Sequence, residues 1–181
     1  MGTTESSEER EARFAALYAA TYGDVLRFVQ RRTEPHRAED VVHEAFLAAW
    51  RRLDDLPEPA GDARAWLYGA ARNCLLNDHR TRARLGALEV RIASHTQEFL
   101  DPEDDLVALQ VDLAAAWGRI RSEDREVLAL TVWENLSSPQ AGRVLGISAA
   151  TYRIRLHRAR ASLRNALRHR EQAYSTMEEL I

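Results

Sequence analysis

The sequence has no lysine: all 25 of its cations are arginine, beside 28 acids and six histidines. A GC-rich coding sequence accounts for that bias before any demand for bidentate phosphate contacts does. It has one cysteine, Cys74, which excludes an internal disulfide. No other Cys or His stands at metal-ligand spacing from it, so Cys74 reads as a small buried residue. Glycine and proline are sparse, and the β-branched residues do not alternate, which argues against sheet. No apolar run is long enough to span a membrane. The first dozen residues are polar and acidic and lack the cationic start and apolar stretch of a secretory leader, so a cytoplasmic protein without membrane insertion is expected. The histidines are scattered, and no carboxylate cluster, His/Cys set or Gly-rich phosphate loop offers a catalytic site; neither an enzyme nor a cofactor is expected.

What is present is a helical composition. Ala, Leu, Arg and Glu dominate, and an apolar fraction of 45% with four tryptophans is enough for one domain or two small ones in 181 residues. The net charge of −3 is an average over segregated blocks. Acids gather at Glu5, Glu8, Glu9 and Glu11, again at Glu98, Asp101, Glu103, Asp104 and Asp105, and last at Glu171, Glu178 and Glu179. Basic patches lie between them, and the local field is what steers a polyanion. Because the rest of the chain opposes phosphate neutralisation, such a protein should bind DNA weakly on its own and need a partner.

The most cationic stretch runs from Ser148 to Arg170. Tyr152, Leu156, Ala159, Leu163 and Leu167 recur at helical spacing and form one apolar stripe. Arg153, His157, Arg160, Arg164 and Arg168 repeat that spacing one position later, widened by Arg155, Arg158 and Arg170, with no acid among them to serve as a partner. A basic helix is ordinarily just a solvated face, but what precedes this one argues otherwise. Leu136 to Ile147 reads as a short helix capped at Ser138, with Pro139 where a missing N–H is harmless and Gly146 able to take the left-handed turn. A short helix, a glycine turn and a basic helix capped by Ser148 make a helix-turn-helix, whose second helix enters the major groove with its first residues nearest the bases. Ala149, Ala150, Thr151 and Arg153 are thus candidates at base edges and Arg155, Arg158 and Arg160 at phosphates, with Ser148 and His157 also in the DNA-binding set.

Upstream, Phe14, Leu17, Tyr18, Tyr22, Val25 and Val29 mark a first helix, and Ala38, Val41, Val42, Ala45, Phe46, Ala49, Trp50 and Leu53 a second. The second carries Glu39, Asp40, His43 and Glu44 on its other side, an acidic patch that either complements the helix dipole or serves as a docking surface. After the turn-rich Leu56 to Asp62, with Asp62 as a cap, a third helix places Trp66, Leu67, Ala70, Cys74 and Leu75 inward. Arg64, Arg72, Asn73, Asn77, Arg80, Arg82 and Arg84 form a polar strip beside Trp66 and Tyr68, a combination suited to single-stranded nucleic acid. Leu106, Leu109, Leu113, Trp117 and Ile120 mark the first helix of a second unit. Ser122 caps the next, where Val127, Leu128 and Val132 turn inward.

Taken together, the chain resembles the extracytoplasmic-function sigma factors of the sigma-70 family, bacterial transcription initiation factors. Ala38-Glu-Asp-Val-Val-His-Glu-Ala-Phe46 with Ala49-Trp-Arg-Arg-Leu53 is similar to the polymerase-binding helix of region 2. Ala63-Arg-Ala-Trp-Leu-Tyr-Gly-Ala-Ala-Arg-Asn73, continued through Asp78-His-Arg80, resembles the segment that recognises and melts the minus-ten element. Thr151 to Arg160 resembles the region 4 recognition helix for the minus-thirty-five element.

The resemblance implies an all-α fold of two small helical domains. These are region 2 with three or four helices over 13–85 and a four-helix region 4 over 105–170, joined by a flexible linker over 86–104, with a disordered 1–12 and a tail 171–181. It implies that Glu39, Asp40, Glu44, Phe46 and Trp50 meet the clamp coiled coil of the largest core RNA polymerase subunit, and that region 4 meets the flap. The loop from Leu56 to Asp62 would capture a flipped base, with Asp62, Arg64, Trp66, Arg72, Asn73, Asn77, Arg80, Arg82 and Arg84 along the strand. The linker would occupy the RNA-exit path, and an anti-sigma factor is an implied partner beside promoter DNA. The sequence departs from the pattern at Pro139, Gln140, Ala141 and Gly142. There Gly142, about 1 kcal/mol worse than Ala in a helix, predicts a helix that is marginal until docked. The competing reading, a free-standing dimeric helix-turn-helix regulator, explains residues 104–170 but gives the α-helical strip after Trp66 no purpose.

Overall fold

The computed structural model describes residues 6–82 and 105–178, without the side chains of 78–82, 105–109 and 170–178. The expected linker 86–104 and Arg84 lie outside the described residues. All of the regular structure described is helical: α1 (Ser7–Gln30), α2 (Pro35–Arg51), a 3-10 turn (Leu53–Asp55), α3 (Ala60–Arg82), α4 (Asp105–Arg119), α5 (Ser122–Val132), α6 (Ser138–Leu145) and α7 (Ala149–Glu178).

Helix α1 starts inside the stretch expected to be disordered, because Ser6 and Glu9 close a capping box: Glu9 N–H donates to Ser6 Oγ at 3.2 Å and Ser6 N–H to Glu9 Oε2 at 2.9 Å. The helices α1, α2 and α3 pack on one another around Val25, Phe28, Val29, Val42, Ala45, Phe46, Leu67 and Leu75, all almost fully buried. Each large apolar side chain there contributes about 2 kcal/mol on burial. Tyr68, expected on the polar strip, is instead a core residue stacked on Phe28 with ring centroids 4.7 Å apart.

In the second half α7 is the spine, against which α4, α5 and α6 pack. Tyr152 is fully buried, and its hydroxyl donates to the Val127 carbonyl at 2.7 Å and lies 2.8 Å from Thr131 Oγ1. A buried phenol needs such partners. Val132, expected to turn inward, is exposed, as is Leu113 of the α4 stripe, while Trp117 pairs with Trp133 at 5.0 Å. Three expected caps also differ. Ser122 is the first helical residue behind Arg121; Ser137, not Ser138, precedes α6 and exchanges bonds with Gln140; and Asp62 lies within the first turn of α3, its carboxylate engaged elsewhere. The tail expected to stand apart continues α7 as far as Glu178.

The helix-turn-helix explains the glycine that looked like a defect. Gly146 takes φ 67° to leave α6, and Ile147 N–H then donates back to the Gly142 carbonyl at 2.9 Å. A Cβ on Gly142 would lie 2.7 Å from the Ile147 carbonyl oxygen, so the close approach of α6 to the turn requires glycine. The two halves share one continuous core, joined where α3 lies on α6.

Candidate nucleic-acid interface

Three surfaces were expected from the sequence, and their electrostatic states differ. On α2, Glu39, Asp40, His43 and Glu44 are exposed, and Leu47 beside them is 52% exposed. Phe46 does not belong to that surface. It is buried against Tyr18 at 4.7 Å and Phe14 at 6.3 Å, so its role is to hold α2 on α1. Trp50 is half-buried, edge-on to Phe14 at 5.1 Å and covered by Arg10 at 5.2 Å from its ring. Cys74, on α3 beneath Glu44, is half-buried; burial and then the Glu44 carboxylate push its thiol up, which makes it an inert packing residue.

On α3, Arg64 and Arg72 already have partners. Arg72 makes a two-pronged bond to Glu126 of α5, Nε to Oε1 at 2.7 Å and Nη2 to Oε2 at 3.2 Å. Arg64 donates to Asp24 at 2.8 Å, the bond that raises its pKa, and reaches the Glu134 carbonyl at 3.5 Å. Asp62 accepts from Gln140 Nε2 at 2.8 Å and pairs with Arg143 at 2.6 Å, both from α6; the Gln140 bond first and then Arg143 hold its carboxyl below the usual range. Arg31 and Arg32 converge on Glu134 at 3.3 and 3.4 Å. Arg32 is fully buried over the Phe28 ring, its Nε and Nη2 without partners, and burial lowers its pKa to about 10. Burial also raises Glu134, so desolvation outweighs the attraction within this pair.

Between α2, α3 and α6 lies a cavity of about 380 Å³. Alanines and Gly69 form part of its wall, Pro57 and Trp66 line it, and Asn73, Asn77 and Arg143 add polar groups. Trp66 is half-buried, both a core contact and a wall of the cavity. Asn73 and Asn77 are exposed. Arg80 and Arg82 belong to α3, but their side chains fall outside those described.

On α7 the arrangement is reversed. Ser148 caps the helix as expected, its Oγ accepting Thr151 N–H at 3.1 Å. Ala149 is half-buried; Ala150, Thr151, Arg153, Arg155, His157, Arg158 and Arg160 are exposed. Among the described residues none of these four arginines has an ion-pair partner, in contrast to Arg64 and Arg72. Sequence reasoning missed Glu126, Glu134, Gln140 and Arg143, which hold the halves together, as well as the exposed Leu47 and Ile154. No group of three or more potential metal ligands occurs among the described residues, and none of their helices is long and apolar enough to cross a membrane.

Two family descriptions match the chain in order: Sigma-70 region 2 over residues 17–85 and Sigma-70, region 4 over 112–163. The chain is 32% identical over 159 residues to the ECF RNA polymerase sigma factor SigL of Mycobacterium tuberculosis, covering 84% of this chain and 90% of that one. It is 35% identical over 137 residues to the RNA polymerase sigma factor CnrH of Cupriavidus metallidurans, covering 69% and 70%. The solved structure of CnrH in complex with the cytosolic domain of CnrY superposes with a TM-score of 0.56 at 27% identity, over 86% of this chain and 88% of the other. The sigma factor RpoE of Bartonella quintana, solved with the anti-sigma factor NepR, shares the fold with a TM-score of 0.62 at 22% identity, over 86% and 96%.

Proposed function

The chain belongs to the extracytoplasmic-function group of sigma-70 family RNA polymerase sigma factors, and from that premise we propose how its surfaces divide the work of opening a promoter. As a sigma factor it binds core RNA polymerase and recognises promoters. The exposed acids Glu39, Asp40 and Glu44 of α2 are suited to a basic clamp helix pair of the largest subunit, and Leu47 beside them supplies an apolar contact. The α7 face reads duplex DNA at the minus-thirty-five element, and α3 takes the melted strand of the minus-ten element. The observation that carries the second role is the cavity beside Trp66, Asn73 and Asn77. It joins an aromatic wall to amides that can address a base edge, and is of a size for one extruded base.

The reading has a structural condition. Glu126 holds Arg72 with the geometry a phosphate would use, and Arg143 and Gln140 close on Asp62 at the cavity. The strand and region 4 therefore compete for one face of α3, and promoter opening requires α3 to part from α5 and α6. The closed arrangement is also one that an anti-sigma factor could hold; CnrH was solved in complex with the cytosolic domain of CnrY.

The division of labour is tested by a pair of charge reversals assayed as holoenzyme. Arg153→Glu should abolish upstream promoter recognition and leave co-elution with core polymerase intact. Asp40→Arg should abolish co-elution while helical circular dichroism is unchanged. Loss of co-elution in Arg153→Glu, or collapse of helical circular dichroism in Asp40→Arg, contradicts the assignment.

A further inference from the structure

An isoleucine stands where a DNA-facing helix would be expected to carry polar groups. Ile154 is 56% exposed, one of five large apolar side chains that are so exposed among the described residues, and it sits in the middle of the most cationic face of the molecule. At about 100° per residue, Ile154 lies roughly opposite the buried stripe of Tyr152, Leu156 and Ala159, at the outermost line of α7. Ala150 stands one turn before it on the same line, small enough to let the helix approach a surface closely. Arg153 and Arg160 flank that line on one side, and Arg155 and Arg158 on the other. The helix thus has an apolar crest between two cationic shoulders.

That cross-section has a physical counterpart in the major groove. Arginines on both shoulders can reach the two phosphate backbones that border the groove, while the crest meets its floor. The one apolar group on that floor is the C5-methyl of thymine. An isoleucine at the crest gains by covering it and gains nothing from the donors and acceptors of a G·C pair, which it would desolvate without replacing their bonds. Solvent exposure alone would favour a polar residue here, and more than half of the residue is open to solvent.

We propose that Ile154 is a specificity-determining residue of the upstream element, reading the methyl group of a thymine. The inference rests on α7 as the duplex reader and adds to it the identity of a base and the group on the base that is sensed. Ile154→Ala shortens a side chain that is more than half exposed and outside the buried stripe, so the fold and the polymerase contact on α2 should be kept.

The test uses holoenzyme reconstituted from the full chain and core polymerase. A duplex library randomised in the upstream element is selected for binding. Each thymine of the recovered element is then replaced in turn by deoxyuridine, which lacks only the methyl group. With wild-type chain, one such replacement should weaken binding about fourfold, the effect of losing one buried methyl-sized group. With Ile154→Ala the same replacement should have no effect, and thymine should lose its preference at that position in a repeated selection. The inference is overturned if no deoxyuridine replacement matters, or if the one that does matters equally in Ile154→Ala. Failure to recover any upstream element would overturn the duplex-reading role of α7 itself, and the inference with it.

Discussion

Arg64 and Arg72 of α3 and the arginines in the first half of α7 are alike in chemistry and opposite in condition. Arg64 and Arg72 are part-buried and bonded to carboxylates. Arg153, Arg155, Arg158 and Arg160 point into solvent without ion pairs among the described residues. The contrast assigns different readiness to the two surfaces. A phosphate approaching α7 displaces only water and counterions. A strand approaching α3 must displace Glu126, whose side chain is only 6% exposed. On the proposed division of labour, one molecule therefore holds a duplex-reading face that is open and a strand-binding face that its own second half occupies. Which half provides the acid also matters: Glu126, on Arg72, comes from region 4, whereas Asp24, on Arg64, comes from α1, so the state of Arg72 depends on where region 4 sits.

The comparison is broken most severely by removing one of its sides. Gly142→Ala drives a Cβ to 2.7 Å from the Ile147 carbonyl, a backbone clash that no side-chain rotation relieves. A loss of about 3 kcal/mol or more is expected for region 4, seen as a lowered thermal midpoint. Upstream promoter binding should fail, and co-elution with core polymerase through α2 should survive.

Reversing the acid sharpens the contrast. Glu126→Arg faces Arg72 with a like charge and should destabilise the closed arrangement by about 3 kcal/mol, the scale for breaking a buried pair. The radius of gyration from small-angle scattering should increase, and affinity for a single-stranded minus-ten oligonucleotide should rise. An unchanged radius would mean that the apolar contact of Val144 with α3 suffices to hold the halves closed.

Much of this was legible in the chain. The apolar stripes of α1, α2 and α7 fixed their buried faces, and Gly146 and Ser148 marked the turn and its cap, because local rules of backbone and periodicity decide those features. Tyr68 was misplaced because an aromatic at the border of a helical stripe lies in the core or on the surface according to which neighbour it meets, here Phe28; Phe46, read into the apolar stripe of α2, is buried there against Tyr18. The pairing of Arg72 with Glu126 could not be read, since the two are far apart in sequence and each looks like a solvated charge. One signal was available in retrospect. Glu126 and Glu134 flank the apolar run of α5 at positions where a solvated acid has no reason to be, and both are buried. Gly142 was misjudged on helix propensity, which does not register the backbone lying across it.

The smallest expected effect concerns Asp62. Its carboxyl is held below the usual range by Gln140 and then Arg143, so its contribution to closure is present above the unfolded pKa and lost as pH falls through the lowered value. Asp62→Asn should lower the thermal midpoint slightly at neutral pH. The difference from wild type should narrow as pH is brought down through the carboxylate range.

The competition on α3 is tested most directly by locking one molecule shut. Gly69 and Val144 face each other across α3 and α6, a Cβ on Gly69 lying 3.8 Å from the Val144 Cα, close enough for a disulfide between Gly69→Cys and Val144→Cys in a Cys74→Ser background. Anisotropy with a single-stranded minus-ten oligonucleotide at low salt then compares the oxidised and reduced forms of the same chain. Binding should be at least about tenfold weaker when oxidised and recover on reduction, a difference of about 1.4 kcal/mol. Equal affinity in the two forms would contradict the claim that region 4 occupies the strand path.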